Sequence, residues 1–400
     1  MIQREQYMKT LREYRDKDVI KIATGIRRSG KSTLFEMFQS ELTNSGVNAK
    51  NIQSYNFELP ENSTLGSWLE VYNHIVAKLV KNAQNYIFLD EIQTIPDFEK
   101  LADGLFARND VDLYITGSNA YFLSSQFATI LTGRYIEIKV LPLSFSEFAS
   151  VFEGVDRNTL FNNYLRYGSF PYIADLLAQG VRDISVYMDG IYDSVLFKDV
   201  QTRLRTGDSS KLENVVRYMF DNIGNPTSSN KVSNTLQSDG YKVSHPTVDT
   251  YLQALTDSYI LYRADRYDIK GKNLLRTLNK YYLVDVSLRA LLLGRDSTAD
   301  IGRVIENIVY LELLRRNSSV WTGKIGEREV DFVVRTHSDN TEYYQVSLTS
   351  LDHKTKTREL GALQAINDHN LKVLLTLDPV EYTEDGIRVK NLINWLLEEY

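Results

Sequence analysis

No cysteine occurs in the 400 residues, which excludes disulfide staples and cysteine-based zinc or iron–sulfur centres. Histidine is nearly as scarce. Five residues, His74, His245, His337, His353 and His369, are scattered along the chain and do not combine into a His-rich metal site. Long apolar runs are missing too: none approaches the length of a membrane-spanning helix, and the opening segment, MIQREQYMKTLREYRDKD, is charged almost from its start, unlike a secretory signal. These absences point to a chain of the cytoplasm with no membrane partner. Nor is positive charge in excess. The formal net charge of −6 argues against a surface coated for non-specific nucleic-acid binding, although an overall balance can hide a basic face. What is present is 43% hydrophobic residues over a length greater than one core usually holds, so two to four domains are expected.

The most specific pattern is GIRRSGKST, residues 25–33, a full match to G-x-x-x-x-G-K-[ST]. Two glycines let a chain wrap an anion closely enough for successive N–H groups to face its oxygens. The flanks suit that geometry. VIKIAT before the loop alternates like a strand, and KSTLFEMFQSEL after it carries Leu34, Phe35, Phe38 and Leu42 at helical spacing. The loop therefore opens a helix whose dipole and free N–H groups favour negative charge. Gly25, Ile26, Arg27, Arg28, Ser29, Gly30, Lys31, Ser32 and Thr33 form the nucleotide-binding set. Within it, Lys31 is placed to reach β- and γ-phosphates and Ser32 to offer its hydroxyl to Mg²⁺, while Arg27 and Arg28 either touch a phosphate or point to solvent.

About sixty residues downstream, YIFLDEIQ reads as a buried parallel strand ending in two acids. Asp90 there is a metal ligand candidate together with Ser32, and Glu91 is a candidate base that polarises an attacking water. A third strand, VDLYITGSNA, ends in a polar cluster in which Ser118 and Asn119 either sense the γ-phosphate or simply close a turn. Arg134, in LTGRYIEIKVLPLSFSEF, either stabilises the charge of a transferred phosphate, in its own or a neighbouring subunit, or forms a surface salt bridge. The candidate catalytic residues are thus Glu91, Lys31, Ser118 and Arg134.

Together, GIRRSGKST, IFLDEIQ, ITGSNA, LTGRYIEIKVLPLSFSEF and YLRYGSFPYIAD resemble the bacterial and archaeal AAA-family ATPases of the extended AAA+ type, which carry a C-terminal region with a degenerate nuclease-like core. The resemblance covers essentially the whole chain. It implies ATP binding through Gly30, Lys31 and Ser32, metal and water handling by Asp90 and Glu91, and a sensor near Ser118.

Residues 209–283 read as three short helices followed by an alternating hairpin that turns at Lys270 and Gly271, the order of a winged helix-turn-helix. Leu212, Val215, Val216 and Met219 face inward on the first helix, and serine caps the second. From Arg263 to Lys280 the wing carries six basic residues, Arg263, Arg266, Lys270, Lys272, Arg276 and Lys280, against Asp265 and Asp268. Such a patch suits DNA phosphates, with Ser244, Thr247, Thr250 and Tyr251 on the exposed side of the third helix; Asp249 and Asp257 oppose that use, and protein docking is the other reading.

The last hundred residues place Glu306 on an amphipathic helix, RVIENIVYLELLRR, and Asp331 on a strand, GEREVDFVVRT. That order resembles the PD-(D/E)xK nuclease core, in which a helical Glu, a strand Asp and an acid two before a lysine bind metal. Here QVS stands where E-x-K belongs, so Gln345 replaces the acid and Ser347 the lysine. Lys354 and Lys324 are the candidates to substitute for it. An inactive core is the expectation.

The fold class is α/β: a P-loop NTPase parallel-sheet domain (1–150), a helical lid (151–205), a winged helix (206–285) and a small nuclease-like α/β domain (286–400). The functional expectation is an ATP-hydrolysing switch that uses Mg²⁺, with DNA, a protein or a second copy of the chain as partner. An ATP-regulated metal-dependent nuclease and a non-hydrolysing docking scaffold are the alternatives. No guanine-specifying motif is apparent.

Overall fold

The computed structural model describes residues 2–118, 133–194, 200, 204, 209–294 and 300–398. The chain divides into two compact units, one holding residues up to 142 with Asp257–Tyr259, the other residues 143–256 and 260 onward.

In the first unit, strands β1 (Ile20–Thr24), β2 (Ile52–Asn56), β3 (Asn85–Asp90), β4 (Val111–Gly117) and β5 (Tyr135–Lys139) form a sheet in the order β2-β3-β4-β1-β5. Every neighbouring pair is parallel. A parallel sheet is covered on both faces, so its strands are buried on both, as β1 and β3 are, and the one charged side chain within β1, Lys21, pairs with Asp112 of β4. Successive residues then serve opposite cores. Ala23, Phe88 and Tyr114 pack with α1 (Glu5–Glu13) and α2 (Lys31–Asn44) through Tyr7, Met8, Leu11, Leu34, Phe35, Phe38 and Leu42. Ile22, Ile87, Leu89 and Ile115 meet the helices Trp68–Ala77 and Phe98–Phe106 on the other side. Each such side chain fully withdrawn from water contributes roughly 1.5–3 kcal/mol. Phe88 and Tyr114 also stack at 4.6 Å, with Phe35 edge-on to Phe88 at 5.5 Å, and this fixes α2 against the strands that flank the loop.

The strand order carries a point that local pattern cannot. β4 stands between β1 and β3, so the two strands that bear the nucleotide motifs are not neighbours, and the end of β4 is interposed between them.

The second unit contains the helices Ser209–Asp221, Ser229–Ser238 and His245–Asp257, with Leu212, Val215, Val216 and Met219 buried and Ser228 capping the second helix. The hairpin strands β6 (Leu261–Asp268) and β7 (Asn273–Leu283) follow, then β8 (Ser319–Ile325), β9 (Arg328–Arg335), β10 (Thr341–Val346), β11 (Leu371–Thr376), β12 (Tyr382–Glu384) and β13 (Ile387–Asn391). All eight belong to one sheet, in the order β12-β13-β11-β10-β9-β8-β6-β7. The hairpin therefore does not stand free as a wing. β6 runs parallel to β8 and joins the hairpin to the C-terminal strands, with β7 as the edge. Two further expectations change here. Tyr251 is buried with Val248, Leu252 and Leu255 and does not lie on the exposed side of its helix. Helix Ile301–Arg316 is buried around most of its circumference, including Asn307, Glu312 and Arg315, so it is a core helix and not an amphipathic surface helix. Its buried charges are matched: Glu312 pairs with Arg315 at 3.0 Å and with Arg316 at 2.8 Å. Among the described residues no helix is long and apolar enough to cross a membrane.

Candidate nucleotide site

The phosphate loop begins where β1 ends. Gly25 has φ 144°, and a Cβ there would meet the Val140 carbonyl oxygen at 2.2 Å, so only glycine fits. Gly30, at φ 93°, caps the start of α2 in the left-handed region. Gly25, Ile26 and Ser29 are buried, which fixes the loop from beneath, while Arg28, Ser32 and Thr33 are exposed. Arg27 pairs with Glu58 at 2.8 Å. Lys31 is nearly fully buried and its Nζ donates to the carbonyls of Gly25 and Ile26, both at 3.0 Å, so the ammonium is held inside the curve of the loop.

Asp90, at the end of β3, spans the gap left by β4. Its Oδ2 accepts from Ser32 Oγ at 2.7 Å and from Asn56 Nδ2 at 2.9 Å, and its Oδ1 accepts from Thr116 Oγ1 at the end of β4. Burial pushes the Asp90 carboxyl above its ordinary value, while the hydrogen bonds from Thr116 and Ser32 act in the opposite direction. Glu91 follows in the left-handed region at φ 53°, a conformation that costs a non-glycine residue about 1–3 kcal/mol and persists only where neighbours hold it. Thr116 holds it: its Oγ1 accepts from the Glu91 N–H at 2.9 Å. The Glu91 carboxylate lies 4.0 Å from Lys31 Nζ and accepts from the side-chain amide of Gln93, which also donates to Ser118 Oγ at 3.3 Å.

The structure thus brings Lys31, Ser32, Asp90, Glu91 and Ser118 together. Arg134 it does not. Arg134 precedes β5 at the end of the sheet where β1 starts, about 16 Å from the loop by strand rise, and pairs with Asp103 at 3.0 Å. Its position removes it from the site of its own chain. Asn119 lies outside the described residues. Four residues that pattern reading passed over belong here: Asn56, Gln93, Thr116 and Arg4. The Arg4 guanidinium is buried and donates to the loop carbonyl of Ser29 at 3.1 Å and to that of Leu141 at 2.7 Å. The only sequence signal for Thr116 and Gln93 was adjacency to Ser118 and Glu91; Asn56 and Arg4 carried none.

A family model described as an AAA domain matches residues 17–149, and one for a domain of unknown function matches residues 158–299. An uncharacterised protein of Haemophilus influenzae is 36% identical over 405 residues, spanning 100% of this chain and 99% of that one. The chain belongs to the same family, one that carries an AAA domain. A protein of Methanocaldococcus jannaschii, also uncharacterised, is 27% identical over 92% of this chain and 83% of its own. Among solved structures, the Walker-type ATPase of Pyrococcus abyssi aligns over 73% of this chain and 96% of its own with TM-score 0.47 and 16% identity. The Aeropyrum pernix ORC1 protein in complex with DNA aligns over 75% and 94% with TM-score 0.35 and 15% identity.

Beyond the AAA domain, the C-terminal acids are engaged with one another's neighbours. Lys280, on β7, is buried; its Nζ lies 3.0 Å from Glu306 Oε1 and contacts Glu329 on β9. Tyr282 donates to the same Glu306 oxygen at 2.7 Å. Asp331 accepts from the Val346 N–H at 2.8 Å, and burial together with Glu306 raises its carboxyl well above the usual range. Gln345 donates to Glu359 at 2.8 Å and accepts from the Asp331 N–H at 3.2 Å, while Ser347 donates to the Thr349 carbonyl at 3.0 Å. The lysine beside these acids is therefore Lys280, from the expected wing, and not Lys354, which is exposed on its helix.

Proposed function

We propose that this chain binds ATP at the phosphate loop with Mg²⁺ and hydrolyses it, and that hydrolysis drives a conformational switch. The observation that carries the reading is the meeting of three strand ends, where Ser32 of the loop bonds Asp90 directly and Gln93 links Glu91 to Ser118. Two hard oxygen donors, Ser32 Oγ and an Asp90 carboxylate, lie side by side and fit a divalent cation of that preference. They are the residues that would hold Mg²⁺, which when bound neutralises charge on the phosphates.

Lys31 sits inside the loop, where exchange of two carbonyl acceptors for phosphate oxygens gives it stronger, charge-assisted partners. Glu91 is the base. As a water oxygen bonds to the γ-phosphorus, the bridging P–O bond breaks, its electron pair leaves with ADP, and the water proton passes to the Glu91 carboxylate. Association with duplex DNA is assigned to the basic residues Lys270, Lys272 and Arg276 of the hairpin with exposed Ser244 and Thr250, without help from buried Tyr251 and Lys280.

Phosphate release with Mg²⁺ and ATP tests the proposal. Lys31→Ala should remove nucleotide binding, because the loop loses the cation fixed beside the transferred phosphate. Glu91→Gln should keep binding and lose turnover, since it keeps the shape and loses the base. Unchanged ATP affinity in a folded Lys31→Ala protein would sink the assignment.

A further inference from the structure

We propose that Gln93 is a positioning residue for hydrolysis, fixing the Glu91 carboxylate and the Ser118 hydroxyl in one mutual arrangement. The inference rests on the ATPase reading above and gives a role to a residue of the Asp90–Glu91 motif that motif reading left without one.

Gln93 lies in the short 3₁₀ turn Ile92–Thr94 that follows directly on Glu91. A single side-chain nitrogen, Nε2, donates both to Glu91 Oε2 and to Ser118 Oγ. An amide N–H₂ has two protons to give, and here both are spent on the two groups expected to face the attacking water and the γ-phosphate. The orientation of the amide is chemically determined. Turned end for end, it would set its carbonyl oxygen against a carboxylate, two acceptors without a proton between them. Gln93 Oε1 is buried and finds no hydrogen-bond partner among the described residues, so the Nε2 end alone accounts for the orientation. The backbone adds to the constraint. Glu91 is held at φ 53°, and Thr94 donates its N–H and its hydroxyl to the Glu91 carbonyl at 3.2 and 3.1 Å. With main chain and turn fixed, the remaining freedom of Glu91 lies in its side-chain torsions, and Gln93 is the neutral donor that removes it; Lys31, at 4.0 Å from Oε1, attracts the other oxygen without fixing an angle.

A base displaced by about 1 Å from its working position loses roughly 100-fold in rate, so the effect of releasing Glu91 is large enough to measure. Gln93→Ala should lower kcat about 10- to 100-fold while KM and nucleotide affinity stay near wild type, since no loop contact to the phosphates is removed. Gln93→Glu keeps the length but puts a second carboxylate beside Glu91. With no N–H left to donate it cannot hold the Glu91 carboxylate, so it should lose kcat at unchanged nucleotide affinity as Gln93→Ala does, whereas a role in packing alone would be rescued by a side chain of the same length.

The experiment is steady-state phosphate release by the full chain with Mg²⁺ and ATP, in wild type, Gln93→Ala, Gln93→Glu, Lys31→Ala and Glu91→Gln, with binding of a fluorescent ATP analogue followed in parallel. A kcat loss at constant affinity in both Gln93→Ala and Gln93→Glu supports the inference. Wild-type turnover that Lys31→Ala and Glu91→Gln abolish but Gln93→Ala leaves equal or faster overturns the inference and leaves the ATPase reading standing. No wild-type turnover overturns both.

Discussion

Replacing Lys280 by methionine tests the charge network of the second unit most sharply. The change keeps the aliphatic stem and deletes an ammonium that is 5% exposed and placed between Glu306 and Glu329. Glu329 is 39% exposed, and solvent screens its share of the pairing, so it contributes little. Glu306 is 16% exposed and Asp331 is buried near it, and these carboxylates lose the cation that balances them. Breaking a buried pair by removing one partner costs about 3–5 kcal/mol, because the surviving charge is stranded away from water. The sign of the pH dependence follows from the direction of the shifts. Burial alone would lower the Lys280 ammonium, yet Glu306, Asp331 and Glu329 outweigh it and raise the group above its ordinary value. Its stabilisation is therefore complete below the unfolded value near 10.4 and fades only as pH rises through the folded one. Asp331 is an acid with a raised folded-state value, so the folded protein gains stability by taking up that proton as pH falls. Without Lys280 the value rises further, and the deficit of the variant should be largest near pH 8 and smaller at pH 5. Urea unfolding followed by Trp321 and Trp395, in a Trp68→Phe background, reports the second unit by itself. Adding Glu306→Gln to Lys280→Met should recover much of the loss, since both charges then leave together. A loss under about 1 kcal/mol at pH 8, or no recovery in the double variant, would refute the account.

Two other outcomes follow from the same region. With Lys280 withdrawn into ion pairs, any duplex contact by the hairpin must come from the remaining basic residues, so Lys270, Lys272 and Arg276 changed together to Ala should flatten the salt dependence of DNA binding by about one unit per lost phosphate contact; absence of duplex binding at low salt would instead assign the hairpin to protein contact. The C-terminal acids should not support DNA cleavage with Mg²⁺ or Mn²⁺, because Gln345 and Ser347 lack the charges the reaction uses and each missing contributor costs about two to three orders of magnitude in rate. Cleavage of linear, branched or single-stranded DNA that disappears in Asp331→Ala would reverse that expectation.

The nucleotide motifs were legible because their geometry is local. A glycine free to sit at φ 144° and a lysine that opens the following helix both stand within nine residues, although the carbonyl that excludes a larger side chain at Gly25 is that of distant Val140. The partners of those motifs were not legible, for two distinct physical reasons. Strand order is a tertiary choice: nothing in VDLYITG states that β4 inserts between β1 and β3, so Thr116, which holds both Asp90 and the Glu91 backbone, looked like an ordinary strand residue. Long-range burial is the second. Arg4 reaches Leu141 across 137 positions and Lys280 reaches Glu306 across 26, and an isolated basic residue in an alternating or helical segment reads as solvated until its partner is known. Tyr251 is a different kind of miss, since the information was present: counted from Val248, the i, i+3, i+4, i+7 spacing already includes Tyr251, Leu252 and Leu255. Grouping it with Ser244, Thr247 and Thr250 on the exposed side runs against a period that is correct. The same lesson explains helix Ile301–Arg316, where Glu312 and Arg315 look like a polar face by residue type but sit three positions apart and satisfy each other inside the core. In this chain charge pattern misleads where two opposite charges meet away from water, and it is at those pairs, Lys280 with Glu306 first among them, that sequence and structure part.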